Sequence, residues 1–233
     1  MSGWVASSSV LTQGSNPVRP ATSMSHALPV VFVLDDDASV RESLELLIRG
    51  AGWRVQTFAS AQEFLARPEV TAPSCLILDV FLPDVNGPDL QRRIAADRIG
   101  TPIIFVTAYG DVPMIVQAMN AGAAEFLTKP FGDDALFRAI QLALERSRTV
   151  LDHEAEIRTL RNRHASLSRR EREVMTLVAS GVRNKRIGDT LGISEITVKA
   201  HRGKVMHKMK AGSLADLVRM ADRLRLVGVD TTT

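Results

Sequence analysis

Apolar positions along this chain change period more than once. Between Pro29 and Leu144, short apolar runs alternate with stretches where apolar residues recur every three to four positions. The runs predict strands over 30–34, 53–58, 75–79, 102–106 and 124–127. The longer pattern predicts helices over 38–50, 60–66, 87–97, 112–121 and from 132 onward. Runs as apolar as Val30-Val31-Phe32-Val33-Leu34 and Leu76-Ile77-Leu78 leave no polar face, as expected of strands covered on both sides. Such strand–helix alternation builds an α/β unit around a five-stranded, doubly wound parallel sheet with right-handed crossovers. Pro83, Asn86-Gly87 and Thr101-Pro102 supply turns between elements.

Downstream the pattern is purely helical. Residues 145–165 are highly charged and free of Pro and Gly, with Val150, His153, Ile157, Leu160, His164 and Leu167 at heptad-like steps. A helical linker over 145–166 is the favoured reading, with a flexible charged connector as its alternative. From Leu167 to Leu226 four short helices are expected. Ser168 with Glu171 has the form of a capping box, Gly181 ends that helix, and Asn184 can cap the next. Leu191-Gly192-Ile193 breaks the second helix, Ser194 caps a third, and Ala211-Gly212-Ser213 separates a fourth. The middle pair forms a helix–turn–helix inside an all-α domain. The domains expected are therefore 29–144, a linker over 145–166, and 167–226. Residues 1–28, rich in Ser, Thr, Pro and Gly, read as a disordered extension, and 227–233 as a tail. Met24 offers an alternative start, which would leave 1–23 untranslated.

Composition narrows the class. Apolar content of 45% and charged content of 24% are those of a globular protein. No apolar run approaches the roughly 20 residues that span a bilayer. The lone Cys75 excludes an internal disulfide framework and suits a reducing cytoplasm, packed as a small hydrophobe beside its strand. The net charge of +3 is unevenly spread. From Leu167 onward 14 Lys and Arg face 7 Asp and Glu, whereas the preceding residues hold 15 against 19. A basic C-terminal module points to a polyanion partner.

The candidate chemistry lies at strand ends. Asp35 and Asp36 follow the first strand, Asp79 ends the third, Thr107 follows the fourth and Lys129 the fifth. All five therefore meet at the carboxyl edge of one sheet. Crowded carboxylates repel one another, and a divalent oxygen-seeking ion relieves that. Asp35-Asp36-Asp37-Ala38-Ser39 also loosely fits the nucleophile motif of haloacid-dehalogenase-like phosphohydrolases, but that reading gives Asp79 no role.

Pro29 to Leu144 resembles the receiver domain of bacterial two-component response regulators. The resemblance rests on Val33-Leu34-Asp35-Asp36-Asp37, Leu78-Asp79 with Pro83 and Gly87, Phe105-Val106-Thr107-Ala108, and Leu127-Thr128-Lys129-Pro130-Phe131. Spacing agrees, with Thr107 lying 28 residues after Asp79 and Lys129 lying 22 after Thr107. The resemblance implies a flavodoxin-like strand order and a cis Lys129-Pro130 bond. It implies that Asp79 accepts phosphoryl from a sensor histidine kinase, with Mg²⁺ held by Asp36, Asp79 and the Phe81 carbonyl, and Asp35 holding one of its waters. Thr107 and Lys129 then engage the phosphoryl oxygens, and Phe126 is the aromatic switch. It further implies a protein that turns over no separate substrate, and in which phosphorylation promotes dimerisation through a face including Met114, Ile115, Val116 and Met119, or release of a recognition helix masked by the unphosphorylated receiver, or both. Phe81 and Tyr109 depart from the commoner polar residues of receivers, which predicts slow self-dephosphorylation.

The C-terminal segment resembles the LuxR-type helix–turn–helix of FixJ/NarL response regulators. It does so through Leu167-Ser168-Arg169-Arg170-Glu171-Arg172-Glu173-Val174, Gly181, Asn184-Lys185, Leu191-Gly192-Ile193-Ser194, Thr197-Val198-Lys199, His201-Arg202 and Lys208-Met209. The implied partners are promoter double-stranded DNA and RNA polymerase. Lys199 is expected at a base edge, with Ala200 touching a thymine methyl. Lys185, Arg202, Lys204 and Lys208, with the Thr197 hydroxyl, are expected at phosphates. His201 is expected in the core, packed and hydrogen-bonded. Gly203 and Gly188 depart from the family pattern, the latter at a helix cost of roughly 1 kcal/mol.

Overall fold

A computed structural model describes residues 28–68, 70–83, 90–94, 101–108, 112–224 and 226. The extension up to residue 27, the Asn86-Gly87 turn, Tyr109 and the 227–233 tail lie outside the described residues, as do both ends of the helix expected over 87–97.

The N-terminal unit runs β1 (Val30–Leu34), α1 (Ala38–Gly50), β2 (Arg54–Phe58), α2 (Ala61–Ala66), β3 (Ser74–Asp79) and α3, described at 90–94. It continues through β4 (Ile103–Thr107), α4 (Val112–Asn120), β5 (Glu125–Thr128) and α5 (Asp133–Ala165). All strand pairs are parallel, in the order β2-β1-β3-β4-β5. The order reverses between β1 and β3, and a doubly wound sheet opens its ligand crevice at that point.

Strand boundaries differ from expectation by one residue for physical reasons. Pro102 has no amide hydrogen, so the β4 ladder begins at Ile103 while the Pro102 carbonyl accepts from the Leu76 N–H at 2.9 Å. β3 begins one residue early because the Ser74 N–H finds a buried acceptor, the Ser147 hydroxyl on α5, at 3.0 Å. Thr107 closes β4 rather than following it.

Alternating side chains feed two cores. Phe32, Leu34, Leu76, Leu78 and Phe105 pack on one face with Phe64, Leu90 and Ile94. Val31, Val33, Ile77, Ile104 and Val106 pack on the other with Ile48, Leu136 and Ile140.

α5 is a single 33-residue helix, unbroken across the expected 144/145 boundary. Its first turns cover the sheet through Leu136, Ile140 and Leu144. Its far end belongs to a third core, where Leu160 joins Leu167, Val174, Ile187, Val198, Val205 and Met209. Arg163 Nη1 donates to the Met209 carbonyl at 3.3 Å, and Glu156 pairs with Arg223 at 2.7 Å. Leu160 and Leu167 of the expected heptad seam are thus consumed within the chain, while His153 stays exposed.

The C-terminal unit adds α6 (Arg169–Ala179), α7 (Asn184–Leu191), α8 (Glu195–Met209) and α9 (Leu214–Arg223). Ser168 and Glu171 form the reciprocal capping box, and Ser194 and Ser213 cap α8 and α9 through their hydroxyls. Asn184 does not cap α7. Arg183 takes that position, and Asn184 Oδ1 accepts from Arg202 Nη1 at 2.7 Å, which ties α7 to α8. Gly192 sits at φ 66°, a left-handed turn that glycine adopts without strain. At Gly188 a Cβ would lie 2.7 Å from the Ile193 carbonyl oxygen. This glycine therefore admits the incoming turn closely, a function that the helix-propensity argument did not include.

Candidate functional site

Two sites emerge, one at each end of α5. At the carboxyl edge of the sheet, Asp35 is buried just past β1, and Asp79 ends β3 with its side chain 13% exposed. Lys129, on the turn after β5, reaches across both. Its Nζ donates to Asp79 Oδ2 at 2.9 Å and to Asp35 Oδ2 at 3.1 Å. The remaining oxygens are held by backbone: Asp35 Oδ1 accepts from the Asp37 N–H and Asp79 Oδ1 from the Phe81 N–H, each at 2.9 Å. Thr107 is fully buried, and its carbonyl accepts from the Lys129 N–H at 2.8 Å, fixing the start of the turn that carries the ammonium. The Lys129-Pro130 bond is cis.

The electrostatics follow from this packing. Burial raises the Asp35 pKa, although the Asp37 N–H and Lys129 oppose it. Burial pulls the Lys129 pKa down, but its bonds to Asp79 and Asp35 outweigh that and hold it above the usual lysine value. Lys129 is thus a firm cation between two carboxylates. Asp36 lies exposed beside them. Three carboxylates against one ammonium leave excess negative charge and all-oxygen donors, a set that fits a hard divalent cation. Among the described residues no group of three His, Cys, Asp or Glu side chains is gathered closely enough to hold a metal ion by itself.

Phe81, two residues past Asp79, is 54% exposed. Phe126 is half-buried against the core, its ring centroid 6.3 Å from that of Phe105. On α4, Ile115 is half-buried while Val116 and Met119 are exposed; the Met114 side chain is outside the described residues.

The second site is the outer face of α8. Lys199, Ala200 and Lys204 are exposed, as is Lys185 on α7, while Thr197 and Arg202 are half-buried. Lys199 pairs with Glu195 at 3.2 Å, and the Thr197 hydroxyl meets that of Ser194 at 2.8 Å. His201 is packed, but its Nδ1 has no hydrogen-bond partner among the described residues, contrary to expectation.

Lys208 is placed differently from the other cations. Its Nζ donates to Glu171 Oε2 at 2.6 Å and lies 3.4 Å from the Ser166 carbonyl oxygen, so it points back into its own domain. Sequence reasoning missed this pair because 37 residues separate its members. The Lys208 bond, with the Ser168 N–H, holds the Glu171 pKa below the usual 4.5. A depressed carboxylate pKa contributes stability that is complete above the unfolded value and lost as pH falls through the folded one. The C-terminal unit is therefore expected to melt earlier as pH drops below about 4.5. Lys208→Met should flatten that dependence in melts between pH 3 and 7; an unchanged slope would contradict the pairing.

Residues 31–141 match the family model of the response regulator receiver domain, and 165–221 match that of bacterial regulatory proteins of the luxR family. The chain is 48% identical over 197 residues to Nodulation protein W of Bradyrhizobium diazoefficiens, covering 84% of this chain and 86% of that one. It is 41% identical over 193 residues to the transcriptional regulatory protein FixJ of the same organism, covering 83% and 94%. It is similar to the solved structure of the response regulator StyR, with TM-score 0.74 and 44% identity over 84% of this chain and all of that one. A receiver joined to a LuxR-type helix–turn–helix defines a response regulator that acts on transcription. The chain belongs to the FixJ/NarL family of response regulators.

Proposed function

We propose that Asp79 is the phosphoryl acceptor of this receiver, and that its modification governs how the C-terminal unit engages promoter DNA. The observation that carries the reading is the Lys129 ammonium bridging Asp35 and Asp79 at the sheet's switch point. A carboxylate oxygen of Asp79 attacks the phosphorus of a phosphohistidine on a sensor histidine kinase. The new O–P bond forms as the P–N bond breaks, and the leaving imidazole takes a proton. Lys129, kept protonated, then turns from the free carboxylate to a phosphoryl oxygen, and the Thr107 hydroxyl donates to another. Asp36, Asp79 and the Phe81 carbonyl would hold Mg²⁺, with Asp35 on one of its waters, and the ion would supply charge neutralisation for the transferring group. The positioning by backbone and Lys129 supplies the rest.

The protein on this reading acts on no substrate but its own acyl phosphate. Its bulky Phe81 and Tyr109 shield that group from water, so Phe81→Asn with Tyr109→Glu shortens the phosphate lifetime; equal lifetimes would refute the shielding. Thr107 moving toward phosphate opens space for Phe126 to turn inward. The change reaches the α4–β5–α5 face, where Ile115, Val116 and Met119 serve a homodimer. Dimerisation doubles the DNA contacts, and the DNA face of α8 and α7 comprises Lys199 and Ala200 at bases with Lys185, Thr197, Arg202 and Lys204 at phosphates. Lys208 makes a weaker phosphate contact, being committed to Glu171. RNA polymerase is then the partner at the promoter, and the cytoplasm is the compartment that holds kinase, polymerase and DNA together. No described helix is long and apolar enough to cross a membrane.

The test is genome-wide DNA binding by the full chain with and without a phosphoramidate and Mg²⁺. Occupancy and self-association should rise together, and both should be lost in Asp79→Ala. Indifference of both to the phosphodonor would end the proposal. Mg²⁺ alone should raise the receiver's melting temperature in the wild type and not in Asp36→Asn.

A further inference from the structure

α8 carries apolar residues on two sides. Val198, Val205 and Met209 are buried against the third core, as a helix packed on its domain requires. Ile196, at the second position of the helix, is 79% exposed, more than any other large hydrophobic among the described residues. Nothing in the core asks for it there. At about 100° per residue, Ala200, Gly203 and His207 lie within about 40° of Ile196 around the helix axis. Lys199 and Lys204 flank that line at roughly 60–80° to either side. A Cβ at Gly203 would meet nothing within 4 Å, so the chain itself leaves this strip uncovered. Its first two turns, Ile196, Ala200 and Gly203, present a branched alkyl group, a methyl and bare backbone, with no hydrogen-bonding side chain. The neighbouring Lys199 is drawn aside to Glu195 at 3.2 Å.

The N-terminal residues of a recognition helix are those that meet base edges. In the major groove the one apolar group on a base edge is the C5-methyl of thymine. We infer that Ile196, with Ala200 one turn further on, is a specificity-determining residue that reads the C5-methyl groups of thymines in the DNA half-site. One helical turn advances about 5.4 Å, which spans one to two base-pair steps, so the two methyls belong to neighbouring or next-neighbouring pairs. Lys199 sits on one flank, beside the strip and within reach of a base edge, and Lys204 on the other, toward a phosphate wall. Along this strip the half-site is selected by shape and methyl groups, since Gly203 offers no side chain to hydrogen-bond a base. This inference rests on the DNA-binding reading above and deepens it.

The experiment selects a binding sequence from random duplex DNA with the full-length protein, then replaces each thymine of the half-site by deoxyuridine, one at a time. That exchange removes a methyl and leaves base pairing intact. At fixed salt, one or two positions should weaken binding about four-fold each, the size of one buried methyl. Ile196→Ala should weaken binding to thymine DNA by a similar factor and be indifferent to deoxyuridine at its own position. Ile196 is exposed, so this variant keeps its fold, which thermal melting verifies. A selected sequence whose every thymine tolerates deoxyuridine would overturn the inference alone, as would a deoxyuridine penalty retained in full by Ile196→Ala. Failure to select any sequence would overturn the DNA-binding reading and this inference with it.

Discussion

Asp79→Asn should reduce phosphoryl uptake from a phosphoramidate to background, a loss of roughly a thousand-fold or more if the carboxylate is the nucleophile. An amide oxygen has neither the charge nor the basicity to form the new O–P bond. The substitution is otherwise mild. Asn keeps an oxygen for the Phe81 N–H, which Asp79 Oδ1 now accepts at 2.9 Å. It removes one negative charge beside buried Asp35 and with it the 2.9 Å ion pair to Lys129, which keeps its bond to Asp35, so the two effects oppose and the receiver's stability should change little without Mg²⁺. Loss of uptake with a nearly unchanged melting temperature separates chemistry from misfolding. Mass spectrometry of the intact chain reads the outcome directly: a persistent phosphoryl adduct on Asp79→Asn would move the acceptor elsewhere. Lys129→Met is the informative companion. It leaves two carboxylates without their shared cation, so uptake should fall while Mg²⁺ stabilises the receiver more than in wild type.

The pocket was legible because its residues occupy fixed places relative to apolar runs. Each lies at or just past a strand end, so parallel strands alone bring Asp35, Asp79, Thr107 and Lys129 to one edge. Side-chain reach was not legible: the Lys129 bridge spans 94 residues to Asp35 and 50 to Asp79, and no local pattern encodes it. The C-terminal unit divides in the same way. Caps at Ser168 and Ser194 are local chemistry, and their hydroxyls accept as the spacing predicts; Ser213, read only as part of a break, caps α9 in the same way. Asn184 has the composition of a cap, but a bond to Arg202, 18 residues away, claims it for tertiary packing. Charge was a poor guide to individual contacts. Lys208 and Lys204 look alike in sequence, yet one is tied to Glu171 and the other is exposed.

Leu160→Ala should destabilise the C-terminal unit by about 2–4 kcal/mol while leaving the receiver unchanged. Composition assigned Leu160 to a linker, where truncating an exposed side chain would cost less than about 0.5 kcal/mol. The packing assigns it to the third core, where it is 5% exposed among Leu167, Val174 and Val205. Alanine is the better helix former, so α5 itself is not weakened and the loss reports packing. Trp53, whose ring lies 5.7 Å from Phe137, follows the receiver by fluorescence once Trp4→Phe silences the other tryptophan. Calorimetry follows both units. A single shifted transition with Trp53 unmoved is the expected result, and no shift would return Leu160 to the linker. The magnitude bears on signalling. A helix whose first turns are locked to the sheet by Ile140 and Leu144, and whose last turns are locked to the DNA-binding core by Leu160, has no free joint along its hydrogen-bonded length. On the proposed dimerisation, a change in receiver self-association would be carried to α8 as a change in the spacing of two paired recognition helices. Loosening Leu160 inserts slack into that path, so the variant should lose phosphorylation-dependent DNA affinity before it loses phosphoryl uptake.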